Sequence, residues 1–175
     1  MTTMQIKGIT LTHPWAWVIA EGGKNIENRT WRPEKQGGRI GMYLAIHGGR
    51  LHGPNTAGRA EARVSLASVI TTMGWEGEQD PKTMLRLRCG LEVANETDYM
   101  PTGIIAVARL ADVREDHDNP WSVFGQYHWH LADVTPLSES VPHKGAQGLW
   151  SLERDALAQV RTLYREALKA KTAAA

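Results

Sequence analysis

The chain has 175 residues, 42% of them hydrophobic and 22% charged, with 20 basic against 19 acidic side chains and a formal net charge of +1. That is enough chain to bury the core of one domain. The even charge balance excludes an extended polyanion-binding surface, which needs clustered excess Lys and Arg, but leaves room for a small basic pocket. Cys89 is the single cysteine, which excludes an intrachain disulfide and suits a reducing compartment. The opening residues lack the apolar run of a secretory signal and no stretch approaches the length of a membrane span. The expectation is a cytoplasmic protein with no membrane partner.

In chain order, residues 8–12 read as a short strand. Pro14 suits the first turn of a helix, with Trp15, Val18 and Ile19 on one face and Gly22-Gly23 as its end. Residues 27–31 fit an extended segment that puts Glu27, Arg29 and Trp31 on one side and Asn28 and Thr30 on the other. Residues 33–38 are turn-like, and residues 39–47 form an apolar run of the kind found in a buried strand. Residues 48–99 read as a mostly helical insertion, with helical patterns over 60–73 and 81–89. Residues 103–113 carry the strongest strand pattern. Residues 127–134 form a second strand, residues 136–142 a turn, and residues 145–152 a last short strand. Residues 153–170 follow a helical stripe of Leu157, Val160, Leu163, Tyr164 and Leu168, and 171–175 are expected to fray. Five or six short strands with few helices point to an α+β fold built on a small mixed barrel, one domain over 1–170.

The stretch with the most chemistry is Gly22-Gly23-Lys24-Asn25-Ile26-Glu27-Asn28-Arg29. A lysine beside a carboxylate and partly desolvated can lose its proton and act as a base, or keep it and hold an anion. Arg29 can fork to a phosphate or carboxylate. The competing reading is a structural Glu27–Arg29 pair with Lys24 solvated, since structural ion pairs also cluster charge. Seven Trp accompany four Tyr and one Phe; Trp15, Trp17 and Trp129 could stack on a base or fill the core. His47, at the end of a buried strand, is either a pocket residue or a hydrogen-bonded core histidine. His128 and His130 share a strand face at a spacing that can hold a metal. The further ligands would have to come from His143, His117, Asp133 or Cys89, and none of these shows a ligand spacing. No metal and no cofactor are expected. Nothing near Cys89 suggests an activated thiol.

Taken in order, these pieces resemble a known family. Leu11-Thr12-His13-Pro14-Trp15-Ala16, the Gly22 to Arg29 stretch, Ile46-His47, the strand over 103–113, Trp129-His130-Leu131-Ala132-Asp133-Val134 and Lys144-Gly145-Ala146-Gln147-Gly148-Leu149-Trp150 are similar to the signature of the ASCH (activating-signal-cointegrator homology) domain. The pattern most resembles the branch of the endothelial-overexpressed lipopolysaccharide-associated factor, with residues 48–99 looking like an insertion. The resemblance implies a PUA-like β-barrel flanked by helices, with a cleft that takes RNA or a modified base and is lined by Gly22, Lys24 and Arg29. Some small members remove the acetyl group of N4-acetylcytidine with a lysine, a threonine three residues later and a more distant glutamate. Lys24 matches the lysine, but Glu27 stands at the threonine position. A hydroxyl can attack an amide carbonyl; a carboxylate would instead have to activate water.

The leading expectation is therefore RNA or nucleoside binding between Lys24, Glu27 and Arg29, with Trp15 or Trp129 stacked on the base and His13 and His47 at the rim. The alternatives are a hydrolase of N4-acylated cytidine or of RNA that uses Lys24 and Glu27 as catalytic groups, and a protein-interaction module.

Overall fold

A computed structural model describes residues 4–74 and 96–174. Six strands form one curled half-barrel sheet: β1 (Ile6–Leu11), β2 (Ile26–Arg29), β3 (Tyr43–Gly48), β4 (Gly103–Arg114), β5 (Tyr127–Val141) and β6 (Leu149–Ser151). Their spatial order is β2-β5-β4-β3-β1-β6. β1 and β3 run parallel, with Ile9 opposite Ile46 and Leu11 opposite Gly48; the other pairings are antiparallel. The described helices are α1 (Trp15–Ala20), α2 (Ala57–Gly74) and α3 (Arg154–Ala174), with short 3-10 turns at Pro33–Gln36 and Glu96–Tyr99.

The apolar runs in β3 and β4 follow from coverage on both faces, where alternation with polar residues is not needed. Leu44 and Ile46 of β3 join Ala106, Ala108 and Leu110 of β4 in a core closed by Ala16 and Ile19 of α1. The intervening Ala45 and Val107 point the other way, onto Val160, Leu163 and Tyr164 of α3. A third cluster docks α2 on α1 through Trp17, Val18, Leu66, Val69 and Tyr99.

Several boundaries depart from the sequence pattern: the strand expected over 39–47 begins only at Tyr43, and the one expected over 145–152 is confined to Leu149–Ser151, with 145–148 in a loop. β5 does not end at Val134: it continues through the expected turn to Val141. Its register with β4 shifts near Asp133, at φ 55°, and again after Pro136, since Ala106 faces Pro136 while Ile104 faces Val141. Proline cannot donate to a ladder and is tolerated at a bulge, so here it marks a bulged strand and not a turn. α3 runs on to Ala174, past the expected fraying point at 171, and Lys171 donates to the Val134 carbonyl at 2.8 Å. Within the expected insertion the described residues comprise a loop over 49–56, then α2, and one 3-10 turn before β4. The helix expected over 81–89, and Cys89 with it, lies outside the described residues. No helix among the described residues is long and apolar enough to cross a membrane.

Candidate functional site

Two cavities open where the end of β1 meets β2, α2 and the loops after β4 and β5. They share Thr10, Leu11, Thr12 and Arg29. α2 walls both, through Gly58, Glu61, Ala62 and Ser65 on one and Ser68 and Thr72 on the other. Those positions recur at helical spacing, so one stripe of mostly small or hydroxylated residues faces the open space.

The smaller cavity, about 440 Å³, holds the charged stretch. Lys24 follows α1, whose last turn closes with the Glu21 and Gly22 amides on the Trp17 and Val18 carbonyls; the Lys24 amide returns to the Val18 carbonyl at 3.1 Å. This folds Lys24 inward, to 4% exposure. Its ammonium lies 3.5 Å from Glu27 Oε2 and 5.7 Å from the centre of the Trp15 ring, and it donates to the Ile26 carbonyl. Burial pushes the Lys24 pKa down, and the Glu27 carboxylate opposes that shift.

Glu27 and Arg29 share a face of β2, two residues apart, and Arg29 Nε sits 3.0 Å from Glu27 Oε1. Arg29 Nη2 also donates to the Thr10 carbonyl at 3.2 Å, tying β2 to the end of β1. The structural pair and the pocket are thus both present. The part of the structural reading that fails is a solvated Lys24.

Residues 120–126 form the outer wall. Asn28 pins this loop by donating to the Trp121 carbonyl at 2.9 Å and accepting from the Val123 amide at 3.1 Å. Half-buried Trp15 and Trp121 both line the cavity. An aromatic-sided slot with a buried cation, a carboxylate and an arginine at one end can hold a flat, hydrogen-bonding ring.

The other expected site residues fall elsewhere. Trp129 is fully buried, packs edge-on to Trp31 at 4.9 Å and donates Nε1–H to the Trp31 carbonyl at 3.3 Å. It lines neither cavity: its ring is enclosed in the core with Leu110, Leu131 and Trp31. Trp121, which the sequence reading passed over, stands at the cleft instead. Its only sequence signal is its place directly after the polar stretch 116–120, an aromatic with no expected strand or helix to bury it. His47 is buried, with Nε2 2.9 Å from the His143 carbonyl and its ring against Trp150, and lines neither cavity. Burial lowers its pKa.

His13 lines the larger cavity, about 680 Å³, together with Trp31, Arg50, His52, Glu61 and the loop 144–148. Its Nε2 lies 3.0 Å from the Gly49 carbonyl while Nδ1 is buried without a hydrogen-bond partner; burial lowers its pKa. Gly145, at φ +70°, lets that loop pass over Thr10 and His47, where a Cβ would come within 2.6 Å of both side chains.

The His128 and His130 rings flank Asp116 Oδ1 at 3.7 and 3.8 Å. No group of three or more His, Cys, Asp or Glu side chains among the described residues is arranged to hold a metal ion. Protein-family models and curated proteins give no match to this chain.

Proposed function

We propose that the chain binds RNA or a modified nucleoside, with the base in the smaller cavity. One observation carries this reading: Lys24 is held at 4% exposure beside Glu27 at the end of an open slot lined by Trp15 and Trp121. Sequestering an ammonium is costly unless its neighbours use it. In the slot, Glu27 accepts from an exocyclic amine, Lys24 and Arg29 donate to a carbonyl or anionic group, and the two indoles stack on the ring faces. The resemblance to ASCH domains, and with it a PUA-like barrel, supports the same ligand class. The test is titration of the four ribonucleosides, N4-acetylcytidine and short single-stranded RNAs against Trp fluorescence. Saturable quenching in the wild type and its loss in Lys24→Ala are expected. No response, or an equal response in the variant, sinks the proposal.

A second reading, hydrolysis of an N4-acylated cytidine or of RNA, draws on the buried Lys24 ammonium 3.5 Å from Glu27. Glu27 would draw a proton from water as it attacks the acyl carbonyl or phosphorus, Lys24 would stabilise the developing negative oxygen, and the protonated Glu27 would return the proton to the departing N4 amine or ribose oxygen as its bond breaks. Chromatography of N4-acetylcytidine and single-stranded RNA after incubation decides it. Turnover that survives both Lys24→Ala and Glu27→Ala removes this site from the chemistry.

A further inference from the structure

We propose that the larger cavity is the sugar–phosphate half of a nucleotide site whose base half is the smaller cavity. The ligand is then a phosphorylated nucleotide, alone or within a strand, and not a free nucleoside. This rests on the nucleoside reading of the smaller cavity and specifies what is attached to the base.

Three observations carry it. First, both cavities are lined by Thr10, Leu11, Thr12 and Arg29, so they adjoin along one seam, which the proposed ligand spans. Arg29 stands at the junction with Nε at Glu27 and Nη2 on the Thr10 carbonyl; its remaining N–H groups are uncommitted among the described hydrogen bonds.

Second, the cations differ in how they are compensated. In the smaller cavity Lys24 and Arg29 both lie against Glu27. In the larger one Arg50 and Lys144 are exposed and have no ion pair or hydrogen bond among the described residues. Glu61 is the acidic residue on that wall. Uncompensated Arg and Lys around a concave wall attract a phosphate, which supplies the missing negative charge and several acceptor oxygens.

Third, His13 is 6% exposed and lines this cavity, yet Nδ1 has no partner. With its Nε2–H given to the Gly49 carbonyl, Nδ1 is a lone-pair acceptor. A buried acceptor left bare is destabilising; the atom is closed to solvent here, so a sugar hydroxyl meets it when the ring turns toward the cavity it lines. Thr10 Oγ1, at the junction, already accepts from Trp150 Nε1 at 3.2 Å and from the Ala146 amide at 3.3 Å. Its own proton therefore remains to donate to a ligand oxygen.

The test is isothermal titration of wild-type protein and the Arg50→Ala/Lys144→Ala double variant. The probes are the four ribonucleosides and N4-acetylcytidine, their 5′- and 3′-monophosphates and the dinucleotide CpA, at two salt concentrations. In wild type at least one phosphate-bearing compound should bind tenfold or more tightly than its nucleoside, with an affinity that falls as salt rises. In the double variant that advantage should vanish while nucleoside affinity stays the same. A gain from a monophosphate identifies a terminal phosphate, and a gain from CpA alone identifies a strand. Equal binding of nucleosides and phosphates, or a double variant that keeps the full advantage, overturns the subsite and leaves the base site standing. Binding of none of the probes overturns both.

Discussion

The two cavities share a seam and differ in how they carry charge. In the smaller one the ions are sunk into the fold: Lys24 and Glu27 are buried, Arg29 is half-buried, and each touches another member of the set. In the larger one Arg50 and Lys144 sit at the surface with no partner among the described residues. A buried set is rigid because the energetics of folding hold it together; removing one member leaves the rest uncompensated in a poorly solvated place. A surface set contributes little to stability and stays free to pair with whatever enters. In the proposed nucleotide site, position and selectivity would therefore fall to the first cavity, and attraction to the second.

The strongest way to break that comparison is Glu27→Ala. It strips the carboxylate from between Lys24 and Arg29, at 3.5 and 3.0 Å, and leaves two cations facing each other. A loss of ~3–5 kcal/mol of unfolding free energy is expected, read by urea denaturation. Arg50→Ala, as the reference from the other cavity, should stay within ~0.5 kcal/mol of wild type. Similar losses in the two variants would erase the distinction.

What the sequence disclosed of this arrangement follows the same divide. Period-two spacing put Glu27 and Arg29 on one face of a strand, and they are paired there. Apolar runs located β3 and β4 because both faces of those strands are covered. Local pattern does not say which side of a sheet becomes cleft. Trp129 and Trp15 look alike as aromatics in apolar surroundings, yet one is enclosed in the core and the other lines the slot, a choice made by how distant segments of the chain assemble around each ring. Trp121 and the α2 stripe were invisible for the same reason. A loop tryptophan and a run of Ser, Ala and Thr gain meaning only when Asn28 draws the loop in and Leu66 and Val69 dock the helix.

Those two tryptophans sharpen the comparison from the ligand side. Trp15→Ala or Trp121→Ala should each weaken the tightest nucleoside by ~1–3 kcal/mol, the usual worth of a base–aromatic stack. The salt dependence of phosphate binding should be unchanged, since the exposed cations are untouched. Isothermal titration at two salt concentrations separates the two quantities. A tryptophan variant that altered the salt slope and kept base affinity would exchange the roles assigned to the cavities.

The smallest effect is electrostatic and appears only as a difference between two proteins. Burial holds the Lys24 pKa below its ordinary 10.5. Between that lowered value and 10.5, the unfolded chain binds more protons at this side chain than the folded one does. Unfolding free energy therefore rises with pH across the window. The contribution is complete above 10.5 and is lost as pH falls through the depressed pKa. Lys24→Met removes the titrating group and keeps most of its length, so denaturation of both proteins between pH 7 and 10.5 should show wild type gaining on the variant as pH rises. A flat difference would mean that Glu27 fully offsets the burial of Lys24, and the smaller cavity would then hold an ordinary ammonium that binds and does not exchange protons.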